Sequence, residues 1–149
     1  MRLSETHCLP VPLADAWAAL NDLDVLRGAV PGCESLVEIA DDEFVAEMAV
    51  PLGLAISRLT VHVQRRDVAA PRRCTLHFET RATGAGGTGR AVLQLHDDCA
   101  DTTRLQVDIA VEIEGLVAQL GTPLIEVAAR QMTLQFLARL STATRARMP

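Results

Sequence analysis

The sequence predicts an α+β fold in which a curved antiparallel sheet of about six to seven strands wraps one long C-terminal helix. From Glu34 to Ile113, apolar and polar residues alternate, as they do in strands with one buried and one wet face. From Gly115 to Leu140 the chain instead has the pattern of an amphipathic helix that lies on a core. The length of 149 residues fits a single domain, residues 1–149.

The N-terminal stretch predicts a strand followed by two short helices. The strand is "RLSETHCL", and Pro10 and Pro12 end it and open a helix with one buried stripe. Asn21 or Asp22 is suited to cap a second helix, "DLDVLR", and Gly28 suits its C-terminal end. The Pro-Gly pair in "VPGC" predicts a turn before the sheet begins.

The strands are the clearest elements, since each has its own alternation. The inward positions are Phe44, Ala46, Met48 and Val50, then Leu59, Val61 and Val63, then Cys74, Leu76 and Phe78, then Ala91, Leu93 and Leu95, and finally Leu105, Val107, Ile109, Val111 and Ile113. The segments between them, "ADDE", "DVAAP", "TGAGG" and "HDDCADT", have the composition of turns.

The C-terminal helix is expected to start or kink at Thr122-Pro123, since proline is tolerated in a first helical turn. On a helical wheel, one stripe holds Val117, Leu120, Gly121, Leu124, Ile125, Val127, Ala128 and Met132. The opposite face holds Gln119, Thr122, Glu126, Ala129, Arg130 and Thr133. A helix that crosses a membrane would be apolar all round, so this pattern favours a core helix.

Composition excludes several classes of protein. The net charge of −5 and the pI near 5.3 argue against a nucleic-acid partner. The first residues lack an apolar run of signal-peptide length, so we expect a cytoplasmic protein with four reduced cysteines. The cysteine spacing does not suggest a metal site, and His62 and His77 are interpreted as surface residues. No acid–base pair points inward, so no catalytic residue is assigned.

Four segments in order make the chain resemble a known family. They are "VPLADAWAALNDLDVLRGAVPGCESL", "DDEFVAEMAV", "GTGRAVLQL" and "GLVAQLGTPLIEVAARQMTLQFLARL". The most specific parts are "PGCESL" and the Gly-x-x-x-Gln-Leu-Gly pattern that ends at Gly121. The sequence thus resembles the G-subunit family of carbon monoxide dehydrogenases, in the START-like, helix-grip (SRPBCC) superfamily.

The resemblance implies a non-catalytic bacterial accessory protein of a molybdenum hydroxylase of the carbon monoxide dehydrogenase type. Such proteins are associated with enzyme maturation and with docking at the cytoplasmic membrane, so peripheral contact with the inner membrane is expected. The superfamily is known for apolar cavities that hold hydrophobic molecules. We therefore expect no cofactor, but a bound quinone or lipid. Two alternatives stay open: a ligand-free interaction module or chaperone, and a START-like enzyme such as a cyclase.

A cavity between sheet and helix is also consistent with the small inward residues and the scarcity of aromatic ones, although a collapsed aliphatic core would explain them too. The residues expected to bind the ligand are Met48, Leu59, Val61, Leu76, Phe78, Ala91, Leu93, Val107, Ile109, Leu120, Leu124, Ala128, Gln131 and Gln135. The two glutamines fall in the apolar stripe, where a buried amide needs a partner, unless the helix rotates there.

Two segments are candidates for contact with a partner. The turn Pro31, Gly32 and Cys33 is expected to dock one, since it presents backbone at the surface. Cys33 itself is not read as a nucleophile because no base accompanies it. Phe136, Leu137 and Leu140 leave the predicted stripe and could face a partner or a membrane. The resemblance further implies that Gly86, Gly87 and Gly89 form a flexible rim at the cavity mouth.

Overall fold

The computed structural model of the chain describes residues 1–52, 55–82, 85–99, 101–115 and 122–147. Within these ranges the elements are β1 (Arg2–Leu9), α1 (Leu13–Leu20), α2 (Leu23–Ala29), β2 (Cys33–Ala40), β3 (Glu43–Leu52), β4 (Ala55–Ala69), β5 (Arg73–Ala82), β6 (Ala85–Cys99), β7 (Thr102–Gly115) and α3 (Thr122–Arg147). The arrangement confirms the predicted α+β fold and the order of its parts.

The seven strands form one antiparallel sheet in the order β1-β7-β6-β5-β4-β3-β2. Strands β4 and β6 are 15 residues long. Irregular pairing interrupts β4 between Arg66 and Ala69, and β6 between Asp97 and Cys99. Such bulges bend and twist a strand, so they help the sheet to curve around α3.

The two short helices form where the turn chemistry predicts them. The Asp22 side chain accepts hydrogen bonds from the backbone N–H groups of Asp24, at 2.9 Å, and Val25, at 3.3 Å. Asp22 is therefore the N-cap of α2, which orients the start of that helix. Gly28 lies inside α2 and not after its end, because the helix continues to Ala29.

Helix α3 starts at Thr122 with Pro123 in its first turn, as the sequence predicts. Its buried side holds Thr133, Leu137, Leu140 and Thr144. The two threonine hydroxyls donate to backbone carbonyls of the same helix, at 2.8 and 2.7 Å, so their burial leaves no unpaired polar group. In the described parts of the chain, no helix combines the length and the apolar character that crossing a bilayer requires.

The predicted buried face of α3 is correct only in part: Met132, expected inside, lines the cavity, but other positions differ. Leu124 and Val127, expected inside, are 39% and 54% exposed, whereas Thr133, expected outside, is 8% exposed. Leu137 and Leu140 are almost fully buried and do not face a partner or a membrane. They join one packed cluster with Leu9, Val11, Ala16, Ala19, Leu95 and Leu105. Packing against α2, β1 and α1 thus fixes the rotation of the helix.

Candidate functional site

The concave face of the sheet supplies one wall of a cavity. Because side chains alternate along a strand, every second residue of five neighbouring strands points toward α3. The wall residues are Phe44, Ala46 and Met48 on β3, Val61, Val63 and Arg65 on β4, Cys74, Leu76 and Phe78 on β5, Ala91 and Leu93 on β6, and Val107 and Ile109 on β7. Apart from Arg65, these side chains offer no charge to a guest molecule.

The opposite wall comes from the helices and the segment between α1 and β2. Its residues are Leu20 and Asn21 at the end of α1, Leu23 and Leu26 on α2, Val30, Pro31, Cys33 and Leu36 around the start of β2, and Met132, Thr133 and Phe136 on α3. Together the two walls line a cavity of about 370 Å³ that is partly open to solvent. Small-molecule sites in proteins typically measure ~300–1,000 Å³, so the cavity is large enough for a small ligand.

Small side chains and one glycine keep this space open. Ala46 and Ala91 contribute only a methyl group each to the sheet wall. The Phe78 ring lies against Gly89, the residue paired with it on β6. A Cβ atom at Gly89 would lie 2.4 Å from the ring, so any side chain there would displace the ring. Gly86, Gly87 and Gly89 are all residues of β6, which corrects their expected place in a flexible rim.

Two polar side chains of the wall, Arg65 and Asn21, contact each other, whereas Thr133 on α3 bonds to its own helix backbone. The Arg65 Nε and Nη2 atoms donate to one Asp42 carboxylate oxygen, at 2.9 and 2.7 Å, and Nη1 donates to the Asn21 amide oxygen. The guanidinium also lies 5.5 Å from the centre of the Phe44 ring, a cation–π distance. Asn21 in turn donates to the Trp17 carbonyl at 2.8 Å. These contacts tie β4 to the β2–β3 turn and to the end of α1.

Two thiols face the same space. Burial raises the pKa of the Cys74 thiol, and the charge of Arg65 offsets part of that rise. Burial likewise raises the pKa of Cys33, with smaller opposing effects from Arg27 and the Ser35 backbone. A raised pKa lowers the thiolate fraction at neutral pH, so both groups act here as apolar wall atoms and poor nucleophiles.

The structure brings together most of the residues predicted to bind a ligand. Met48, Val61, Leu76, Phe78, Ala91, Leu93, Val107 and Ile109 all line the cavity. Leu59, Leu124 and Ala128 are not among the lining residues, and Leu120 lies outside the described residues. That the lining residues contact a ligand stays a prediction.

Gln131 and Gln135 do not lie in the apolar stripe of α3. Both are exposed, and neither is among the lining residues. The rotation of α3 about its axis explains the difference, since it turns Met132, Thr133 and Phe136 toward the cavity instead. The glutamines are therefore corrected from candidate ligand contacts to surface residues.

The Pro31-Gly32-Cys33 turn sits at the cavity wall. Gly32 has a φ of +78°, and its carbonyl accepts a hydrogen bond from the Ala49 N–H at 2.9 Å. A Cβ atom at this position would lie 2.1 Å from the Ala49 carbonyl oxygen, so only glycine fits. Pro31 and Cys33 line the cavity, whereas Gly32 is exposed. The docking role of the turn stays a prediction.

The described residues contain no cluster of three or more histidine, cysteine or acidic side chains that could hold a metal ion. His62 is exposed, in agreement with its interpretation as a surface residue, and His77 is half-buried. Neither is among the residues that line the cavity.

Sequence reasoning missed part of the site. Arg65 continues the inward series Leu59, Val61 and Val63 at the same spacing, so the alternation of β4 contained the signal for it. The wall formed by α2 and by Leu36 had no comparable signal, because it depends on how the short helices fold back over the sheet.

Comparison with solved structures identifies the fold. A conserved protein from Geobacillus kaustophilus matches with a TM-score of 0.93 at 18% identity, over 98% of this chain and 96% of that one. The START superfamily protein from Mycobacterium smegmatis matches with a TM-score of 0.78 at 13% identity, over 99% of both chains. The Zhui aromatase/cyclase from Streptomyces sp. R1128 matches with a TM-score of 0.76 at 16% identity, over 99% of this chain and 94% of that one. At these identities the likeness shows a shared START-like fold.

The sequence itself assigns the family. No curated protein matches the chain closely enough to count as a relative. A family model does match, over residues 9–144, and it describes CoxG, the G subunit of carbon monoxide dehydrogenase. The match takes in β1's last residue, the two short helices, the other strands of the sheet and nearly all of α3. The chain therefore belongs to the CoxG family and has the START-like fold that the sequence predicts.

Proposed function

We propose that this protein binds a hydrophobic small molecule, a quinone or a lipid, in the cavity between the sheet and α3. The cavity carries the proposal: it is walled almost entirely by aliphatic and aromatic side chains, with one polar cluster among the described residues. Burial of apolar ligand surface contributes about 25 cal/mol per Å² to the free energy of binding, so such a wall favours an apolar ligand. A few polar groups at one place are typical of sites that also fix a ligand's orientation.

A binding role fits these residues better than catalysis. General acid–base chemistry in a buried site usually employs a histidine or a carboxylate close to the substrate. Among the described lining residues, the only charged group is Arg65, and the two thiols have raised pKa values. The similarity to an aromatase/cyclase supports only the fold, so we favour a non-catalytic accessory protein.

The family match supports the second half of the proposal. The protein would serve a molybdenum hydroxylase of the carbon monoxide dehydrogenase type, in its maturation or in its docking at the inner membrane face. An apolar cargo fits such a place, because quinones and lipids reside in the bilayer. The Pro31-Gly32-Cys33 turn is the proposed docking element, and it would couple the partner to the cavity wall that it helps to form.

The ligand is tested by extracting the purified protein with organic solvent and identifying the extract by mass spectrometry. We expect an apolar molecule in near-stoichiometric amount, and much less of it from Ala91→Phe, which fills the cavity. A matched Ala14→Phe variant alters an exposed residue of α1 and should retain the ligand. An empty extract, together with failure to bind added apolar compounds, would contradict the proposal.

The partner is tested by co-expression with the hydroxylase subunits and affinity purification. We expect co-purification that weakens in Pro31→Ser. Co-purification of a protein that neither contains nor binds an apolar molecule would favour the alternative, a ligand-free interaction module.

A further inference from the structure

The ligand cavity is chemically asymmetric. Around most of its wall the side chains are aliphatic or aromatic, but at the end of α1 the wall meets Arg65, Asn21 and the Asp42 carboxylate beyond them. A purely apolar molecule would bind anywhere along the aliphatic and aromatic part of the wall. A molecule with one polar end would bind in one orientation, with that end at Arg65.

Arg65 has hydrogen-bonding capacity to spare. A guanidinium has five N–H donors. In the structure three donations are made: two to Asp42 and one to Asn21. No other described residue accepts from Arg65, so two N–H groups, one on each terminal nitrogen, remain for a ligand oxygen. The side chain is only 24% exposed, so an oxygen bound there would be largely sheltered from water.

The charge of the cluster selects the kind of oxygen. Asp42 already pairs with the guanidinium, so the cluster as a whole is close to neutral. A ligand carboxylate would have to lose its own hydration beside the Asp42 charge, and this desolvation is costly. A neutral carbonyl oxygen accepts the same two N–H groups without that repulsion. Asn21 does not alter this balance, since its amide is uncharged and is held between Arg65 and the Trp17 carbonyl.

From this arrangement we propose that Arg65 binds the carbonyl oxygen of a neutral, otherwise apolar ligand, and that Asp42 makes the site reject carboxylates. The inference rests on the proposed function, since it names the class of molecule that the cavity takes. Arg65 is the residue that orients the ligand, with its carbonyl end at the α1 side and its apolar part along the sheet.

The test is competition against the neutral dye N-phenylnaphthylamine, using butylbenzene, benzylacetone and phenylbutyrate, which share one carbon skeleton and differ in the polar end. Affinities are measured for the wild type, Arg65→Met and Asp42→Asn. Arg58→Met is the matched control, because Arg58 lies on the same strand but forms an exposed ion pair with Glu34. Comparing ratios between variants removes the difference in intrinsic hydrophobicity of the compounds.

We expect Arg65→Met to lower the affinity for benzylacetone by about tenfold, which is the usual effect of losing a hydrogen bond to a charged group. The affinity for butylbenzene should stay unchanged. Asp42→Asn should strengthen phenylbutyrate several-fold relative to benzylacetone, because the carboxylate repulsion is gone. Arg58→Met should change none of these ratios. A purely structural role of Arg65 would lower all affinities together and would not alter selectivity.

Different results would contradict the proposed ligand cavity and the proposed role of Arg65. If neither the dye nor butylbenzene binds the folded wild type, the proposed function fails and this inference with it. If both bind, but Arg65→Met and Asp42→Asn leave the ratios unchanged, the role of Arg65 is overturned and the apolar cavity stands. If Arg65→Met does not fold, Arg65→Lys replaces it and Asp42→Asn decides, since a selectivity unaltered in that variant overturns the proposal.

Discussion

Filling the cavity should stabilise this protein, whereas the same change in its packed core should destabilise it. Ala91 lines the cavity, and its cross-strand partners, Leu76 and Ile109, line it too. Ala91→Leu adds three carbon atoms, which we expect to enter the open space beside Ala91. At about 0.8 kcal/mol per buried CH₂, the upper limit is ~2.4 kcal/mol. Because the cavity is partly open to water, we expect a gain of about 1–2 kcal/mol.

The matched control is Ala19→Leu. Ala19 is fully buried in the packed cluster around α1 and does not line the cavity. Overpacking of such a site typically costs about 1–3 kcal/mol, roughly the opposite of the effect at Ala91. Urea unfolding followed by the fluorescence of Trp17, the only tryptophan, measures both variants. With an m value of ~1–3 kcal/mol/M, each shift amounts to roughly 1 M in the midpoint. Equal destabilisation by both variants would refute the open cavity.

Further predictions concern the cavity wall and helix α2. Gly89→Ala should destabilise the protein by about 1–3 kcal/mol and weaken dye binding, because its Cβ atom would push the Phe78 ring into the cavity. Gly28→Ala, with nothing within 4 Å of the new Cβ atom, should instead stabilise α2 by about 0.5–1 kcal/mol in the same urea titration. Burial raises the pKa of Cys74 above its ordinary value of 9.0, so iodoacetamide should alkylate Cys74 more slowly than the exposed Cys8. Because Cys74 lines the cavity, bound butylbenzene should slow its alkylation further and leave that of Cys8 unchanged. Equal alkylation rates of Cys8 and Cys74, with no effect of the ligand, would contradict the buried position of Cys74. The raised pKa of Cys74 also predicts that the free energy of unfolding falls as the pH rises above about 9, because the thiol ionises first in the unfolded chain.

The sheet was predictable because its signal is local. Each strand alternates between a solvated and a buried side, and the side-chain period of two leaves little choice of face. Phe44, Ala46 and Val50 are buried as the alternation requires, and Glu47 is exposed. The same alternation also places Arg65 on the inward side. It was not assigned to the cavity because only apolar residues were expected on the inward side of the strands.

The face of α3 was not predictable in the same way. The helix carries apolar residues on more than one side. A helical wheel drawn from its first half therefore predicts that Leu124 and Val127 are buried. The structure instead buries the side that contains Thr133 and Leu137, because α3 packs against α2, β1 and α1, and Leu137 and Leu140 join the packed cluster there. Threonine is acceptable there since its hydroxyl bonds back to the helix backbone. Tertiary packing, which no single-helix pattern contains, therefore decided the rotation and removed the glutamines from the site.

The central claim, an apolar ligand site between sheet and helix, is tested most directly by nuclear Overhauser effects in the protein labelled at its methyl groups. With butylbenzene bound, we predict contacts from ligand protons to the methyl groups of Met48, Leu76 and Met132, and none to Leu9 or Leu105 in the packed cluster. Contacts confined to the exposed Val127 and Leu134 of α3, or no contacts at a saturating ligand concentration, would contradict the claim.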